Sequence, residues 1–522
     1  MVLFNSNKDD LPLIYIAISM KSSIPSYSNK CFFLVCAAAM TASVYGTNLR
    51  FSVLGSSSEQ RLGTSIVAVG DLNGDKYPDL AVGDPGYSAS AFTNSGRVQV
   101  LSGKNGSVIF TLQGTPAIDQ AFGSSLAAIR ADGDSKLDIV VGAPGGNGAV
   151  WIYSGADGSL LRTVASPLPT AGTSFGTALA SAGDHNADGV TDLFVGAPGA
   201  TMPDGRVVII SGATGAVVMQ LGVGIADTGF GTSVASIPDQ NGDGRAELVV
   251  GSPKFSSGLG RVQTLVSSNG IQLAEYAGTV PGARLGSRVG ITDDRNGDGT
   301  LDLIAGSGSG GSAYLLSGIS MSLITDLSLA GSAADLPVVP GGVLDIDRDG
   351  DTEMLIGYPG AQPLARFTVT AAPVSPQPAV YNATVANSGL GYAIAVIPAF
   401  GFAVGEPLRA GGAVHVYTTL ADNDGDGVPN EYDLCKKSIR TATVVFQKVD
   451  SRVKNRLNSD GCTFADLFAK LRPSKGWKSH EQFVLKANAL IKKLRTAGLI
   501  SKSEASKLKT AVAKCKIGAK KR

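Results

Sequence analysis

Histidine is nearly absent from this 522-residue chain: His185, His415 and His480 are its only three, far apart in sequence. That scarcity excludes a His-rich metal centre and argues against a His-based catalytic triad. Cysteine is scarce as well, at five residues. Charge of one sign is missing too, because 44 Lys and Arg against 43 Asp and Glu leave a net +1. The balance excludes a uniformly basic nucleic-acid binder and a uniformly acidic tail protein, and no nucleic-acid partner is expected. Glycine shows no G-X-Y period, so the chain is not collagen-like. Yet glycine is what the chain has most visibly in excess, with 67 residues, about 13% against a usual ~7%. Together with 43% hydrophobic residues, this describes a chain that turns often and still builds a sizeable core.

The small net charge hides a sharp asymmetry. Residues 436–522 hold 23 of the Lys and Arg but only Asp450, Asp460, Asp466, Glu481 and Glu504 as acids. That segment is net +18, which leaves −17 on residues 1–435. Such a step marks a domain boundary and two different surfaces. The basic end suits an anionic surface polymer or a membrane surface.

At the other end, Lys30 precedes a short apolar run, Cys31 to Met40, followed by small residues up to Gly46. A positive flank, an apolar stretch of about ten residues and a small residue at the end fit a secretory signal peptide over 1–46. The run is too short to cross a bilayer as a helix. Met20-Lys21 makes the more ordinary start, so residues 1–19 read as an upstream extension. Export agrees with the cysteines. Cys31 and Cys36 leave with the signal, Cys435 and Cys462 flank one short segment and suit a disulfide, and Cys515 is left free or paired between chains.

An internal repeat fills the middle. Its first unit runs Leu62-Gly63, then the loop Asp71 to Asp79, then Leu80-Ala-Val-Gly-Asp-Pro-Gly86 and Gly96-Arg-Val-Gln-Val-Leu-Ser-Gly103. The third repeats it from Phe175-Gly176 to Gly212. The acid closing each loop falls at 79, 138, 192, 247, 302 and 353. Short runs of alternating apolar residues between Gly, Asn, Pro and Asp turns predict four antiparallel strands per unit. A four-stranded unit of about 55 residues is a propeller blade. A seventh unit, from Leu390 to Tyr417, lacks an acidic loop and a fourth strand. The strand at 49–54 can supply the missing one and close the ring, removing exposed edges. The expected fold is therefore all-β: a seven-bladed propeller over 47–420 with N-terminal strand closure, followed by a small, basic, α-helical C-terminal module.

Each loop reads D-x-[ND]-x-D-x-x-x-[DE]. Hard oxygens at alternate positions, with glycine for a tight turn, suit Ca²⁺ and not a thiolate or imidazole metal. Side chains at positions 1, 3, 5 and 9 and the carbonyl at position 7 are the expected ligands. The sets are Asp71, Asn73, Asp75, Tyr77 and Asp79; Asp184, Asn186, Asp188, Val190 and Asp192; Asp239, Asn241, Asp243, Arg245 and Glu247; Asp294, Asn296, Asp298, Thr300 and Asp302; and Asp345, Asp347, Asp349, Asp351 and Glu353. About five calcium ions are expected in the propeller, holding hairpins in place and doing no chemistry. Blade two departs, because Arg130 takes position 1 ahead of Asp132, Asp134 and Asp138. A guanidinium there is expected to bond the carboxylates and leave the site weak or empty.

The Phe-Gly and Gly-Ala-Pro signatures bracketing these loops resemble FG-GAP repeats, as in the integrin α-subunit propeller, over about residues 47–420. The resemblance implies calcium on hairpins of one face and partner binding through loops of the opposite face. It points to the loops 84–96, 197–205 and 252–260, with Tyr87, Phe92, Met202 and Phe255. After the propeller, Asp422, Asp424, Asp426, the Val428 carbonyl and Asp433, trailed by Cys435, resemble a thrombospondin type 3 repeat. That resemblance implies one further calcium and a stiffened linker, with a disulfide-closed basic linker over 436–462. Helical spacing then predicts segments at Phe464–Phe468, Phe483–Ile491 and Ala505–Val512.

Catalysis has little support in the sequence. Gly172-Thr-Ser174-Phe-Gly176 matches G-x-S-x-G but opens a strand, without the helix that a nucleophile elbow needs. The expected function is a secreted or cell-surface, calcium-binding propeller for adhesion or macromolecular recognition, with an extracellular protein or polysaccharide as partner. A polysaccharide-binding or polysaccharide-degrading propeller is the first alternative. The second is a structural envelope protein docked by its basic tail.

Overall fold

The computed structural model describes residues 48–517 except 58–59, 90–92, 115–119, 169–171, 200–204, 223–228, 329–337, 347–351, 362–365, 371–378, 421–438, 440, 457–461 and 474–476. The expected signal peptide and the 422–433 calcium motif therefore lie outside the described residues.

The Asp/Glu-Leu-x-Val-Gly run of each repeat forms a strand covered on both faces. Asp79–Asp84, Asp138–Ala143, Asp192–Ala197, Glu247–Ser252 and Glu353–Tyr358 bury all six of their residues. This is why the run is apolar without alternation. Outermost strands such as Val108–Leu112 and Leu160–Ala165 have covering on one side and expose part of their length. Six antiparallel sheets take four strands each from consecutive sequence. The seventh joins Ile394–Ile397, Gly401–Gly405 and Gly411–Thr418 to the first strand, Asn48–Leu54. That last pairing is antiparallel, with Ser52 opposite His415 and Leu54 opposite Ala413. Arg61–Leu62 adds a short parallel pairing to the same strand. The result is a seven-bladed propeller.

Neighbouring blades share cores. Val69, Ala81 and Val98 of the first blade pack in one cluster with Ile139, Val141 and Trp151 of the second. Phe122, fully buried, sits edge-on to Trp151 and Tyr153 at 5.3 and 6.1 Å. The signature glycines permit this approach. A Cβ on Gly83 would lie 2.0 Å from the Gly123 carbonyl oxygen of the next blade, and Gly123 itself has φ +89°. No other residue fits that contact without moving a blade.

The innermost strands of all seven blades line a central channel. Each runs away from one mouth of that channel, and in the first five blades the repeat's acidic loop follows at the far end. Those loops consequently share one face.

Residues 443–517 form a separate core. Helices Phe464–Ala469, His480–Thr496 and Lys502–Lys514 appear where the spacing places them. Thr463, Ser479 and Ser501 cap their N-termini, and Asp466 and Glu504 complete capping boxes. The expected linker also contains structure: Thr443–Phe446 and Val449–Lys454 make a hairpin. Val444, Phe446 and Val453 from it pack with Phe464, Phe468 and Phe483. The helices alone are too small for a self-sufficient core, and the hairpin supplies the missing layer. Cys515 is free and buried. Cys462 is disulfide-bonded, while Cys435 lies outside the described residues. No described helix is long and apolar enough to cross a membrane.

Candidate functional site

The acidic loops repeat one hydrogen-bond design. The position 9 carboxylate is buried and holds the loop from beneath. One of its oxygens accepts the amide of position 2: Leu72 to Asp79 at 2.8 Å, Ala131 to Asp138 at 2.6 Å, His185 to Asp192 at 2.9 Å, Arg295 to Asp302 at 2.7 Å and Ile346 to Glu353 at 2.7 Å. The other oxygen accepts an amide from the turn after the third strand, at 3.0 Å from Gly103, Gly155 and Gly212 and at 3.1 Å from Gly318. Glu247 does the same with Gln240 and Ser267, at 3.3 and 3.2 Å.

Position 1 closes the upper rim. Asp71 accepts the amides of Gly74, Asp75 and Lys76 at 2.7, 3.1 and 2.8 Å. Asp239 and Asp294 do likewise, the latter from Gly297, Asp298 and Gly299. At position 5 one oxygen accepts the position 7 amide, at 2.9 Å in each of Tyr77, Val190, Arg245 and Thr300. The second oxygen accepts a serine hydroxyl. Ser102, Ser211, Ser268 and Ser317 serve Asp75, Asp188, Asp243 and Asp298 at 2.8, 3.2, 2.8 and 3.1 Å. The sequence reading missed these serines, although Ser-Gly recurs at 102–103, 211–212 and 317–318.

Electrostatics differ sharply across one loop. Burial pushes Asp79 up to about 6, against the lowering effect of its backbone hydrogen bonds. Burial raises Asp138, Asp192, Glu247 and Asp302 in the same way. At the exposed rim, the Thr300 and Asn296 side chains hold Asp298 down at about 2. A buried carboxylate kept above its usual range beneath a rim of ionised ones is a donor set that a divalent cation would relieve. All the expected ligands are oxygens, so the residues fit calcium.

Blade two is organised differently from expectation. Among the described residues, Asp132, Asp134 and Asp138 are the acidic trio whose ligand atoms all lie within 4.8 Å of one another. Arg130 is exposed, and no hydrogen bond joins it to those carboxylates among the described residues. The expected bonding of the guanidinium to these carboxylates is thus not found among the described residues, and the three acids lie together. Asp347, Asp349 and Asp351 of blade six fall outside the described residues, as do Asp422, Asp424, Asp426, Val428 and Asp433.

On the opposite face, Tyr87 lies against Arg97 at 4.2 Å and Phe255 against Arg261 at 4.0 Å. Both rings are thus engaged by an arginine of their own blade. Phe92 and Met202 are outside the described residues. Ser174 precedes the inner strand Ala178–Gly183, with no helix after it.

The histidine scarcity concealed one contact. His415 stands between Ser52 Oγ, 2.8 Å from its Nδ1, and Glu406 Oε2, 3.0 Å from its Nε2. With a neutral ring, Nε2–H donates to the carboxylate and Nδ1 accepts from the serine. Ser52 is exposed on the outermost strand and directly opposite His415 in register. The arrangement ties the first strand of the chain to blade seven.

Comparison with known proteins adds the family of the repeat. Residues 63–101 and 230–265 match the FG-GAP repeat, and residues 130–195 match an FG-GAP-like repeat. The chain carries FG-GAP repeats. It is similar to human integrin alpha-11, 37% identical over 150 residues that make up 26% of this chain and 12% of the integrin. It is similar also to chicken integrin alpha-V, 32% identical over 210 residues, or 35% of this chain and 19% of the integrin. Mouse integrin alpha-7 is 33% identical over 166 residues, 28% of this chain and 14% of its own length. The FG-GAP region of the chain thus spans less than a fifth of these relatives.

Proposed function

We propose that this chain is an exported, calcium-stabilised propeller that recognises another macromolecule outside the cell and performs no catalysis. The observation that carries the reading is the repeated oxygen-donor loop, built over a buried carboxylate in blade after blade at one end of the ring. Divalent cations would lock these hairpins and leave the other face free for a partner. The likeness to integrin alpha chains supports adhesion or recognition as the class of function. About five ions sit in the propeller, at the sets named above, and a sixth at the 422–433 motif. The pairing of strand 48–54 with blade seven serves as the seam that closes the ring. Residues 1–46 direct export, and the basic module over 463–522 contacts anionic surface polymer or membrane.

The test is elemental analysis and melting of the purified chain, with and without chelator, followed by a screen of glycans and extracellular proteins in calcium. Bound calcium, a lower melting temperature in chelator and a calcium-dependent partner are expected. No bound calcium and unchanged melting would remove the metal assignment, whereas a blank screen from calcium-loaded protein would remove recognition.

A further inference from the structure

The channel mouth on the face away from the acidic loops opens into a cavity of about 390 Å³. Arg61 and Arg288 line it, and among the described residues no Asp or Glu does. Arg288 donates from one guanidinium nitrogen to the Ser287 carbonyl at 3.1 Å. Among the described residues neither arginine is paired with a carboxylate. Two guanidinium groups therefore face a partly enclosed space with most of their donors uncommitted, and only an anion matches them well.

The hydroxyls of the same wall have the opposite need. Thr64, Ser124 and Thr177 occupy equivalent places in blades one, two and three. Each spends its single proton on a carbonyl of its own turn, at 2.7 Å to Arg61, Ala121 and Ser174 respectively. Toward the cavity these hydroxyls present lone pairs, so a ligand that satisfies them must itself donate. An aspartate or glutamate side chain supplies an acceptor and no donors. A uronic acid supplies both, a carboxylate and several hydroxyls on one ring. Tyr392 at the rim adds an aromatic side chain against which a sugar's C–H face can lie, and the cavity is large enough for a pyranose.

We infer that the channel mouth is a binding site for a uronate residue of an acidic polysaccharide. Arg61 and Arg288 take the carboxylate, and Thr64, Ser124 and Thr177 accept from the sugar hydroxyls. This inference rests on the recognition reading above and specifies its ligand class.

The experiment is calorimetric titration of the full chain in calcium with a linear tetrauronate, its methyl ester and a poly-glutamate of matched charge. The same titrations are run on R288Q and R61Q, and the melting temperature of each variant is checked first. Arg61 is exposed, so R61Q keeps the test valid should R288Q fold poorly. The tetrauronate is expected to bind, and each variant to weaken it about tenfold or more, the usual size for a charge-assisted hydrogen bond. The ester and poly-glutamate are expected to bind at least as weakly as the variants. Poly-glutamate binding as tightly as the tetrauronate would overturn the inference in favour of an acidic peptide. Uronate binding unchanged in both variants would overturn the site, and absence of uronate binding to folded, calcium-loaded protein would overturn the ligand. In either case a partner found in the wider screen would leave the recognition reading standing, and a blank screen would remove both.

Discussion

At the scale of single residues, the buried loop carboxylates and Glu406 shift in opposite directions. A carboxyl whose folded value is raised holds its proton more tightly folded than unfolded. Its stabilising share is complete below the ordinary aspartate range and is lost as pH rises through the folded value. Asp79, pushed up to about 6, behaves this way, and Asp138, Asp192, Glu247 and Asp302 move in the same direction. In chelator, the melting temperature is thus expected to fall as pH rises from about 5 to about 7. Saturating calcium is expected to remove that fall, which thermal scans at several pH values will read. Glu406 has the opposite sign. Burial pushes it up, but the hydrogen bond from His415 and the positive charge of Arg409 outweigh this and leave it below the usual range. Its contribution is full above the ordinary glutamate value and lost as pH falls below about 4. Removing the buried partner by Glu406→Ala is expected to cost about 2 kcal/mol in urea unfolding. A cost near zero would show that the Ser52–His415–Glu406 chain is not holding the seam.

Blade packing is decided at the scale of elements. The Phe of each Phe-Gly signature fills the interblade core, and the glycines let the backbones meet. Phe122→Ala empties the space against Trp151 and Tyr153 and is expected to cost about 3–5 kcal/mol, measured by denaturant unfolding. Gly83→Ala places a methyl 2.0 Å from the Gly123 carbonyl, so it is expected to destabilise by at least as much. In blade two the three acids already face one another, and Arg130 stands exposed beside them. Arg130→Asp supplies the missing first ligand and is expected to add one calcium per chain by elemental analysis. These elements were largely legible in sequence, because the repeat prints the same strand and loop signals six times. The position 5 serines and the exposed course of Arg130 were not, since pairing across the blade and side-chain direction carry no periodic signal.

For the whole molecule, the ring joins its two ends in one sheet, and the C-terminal module combines a hairpin with three helices. Deleting residues 48–54 removes the outermost strand of blade seven and exposes an unpaired edge. The truncated chain is expected to melt lower and to aggregate, as read by scattering during a thermal scan, while full-length protein stays soluble to its transition. The sequence by itself determined the blade count, the strand order within a blade and the oxygen-rich loops at fixed phase. Each of those is a local pattern of period, turn chemistry or composition, and local patterns survive without coordinates. Only the tertiary structure decided what meets across the ring: Ser52 with His415, a buried carboxylate beneath each described acidic loop, and arginines from blades one and five at a channel mouth lined by turn hydroxyls. Closing a ring brings residues together from hundreds of positions apart, and no spacing along the chain encodes that proximity.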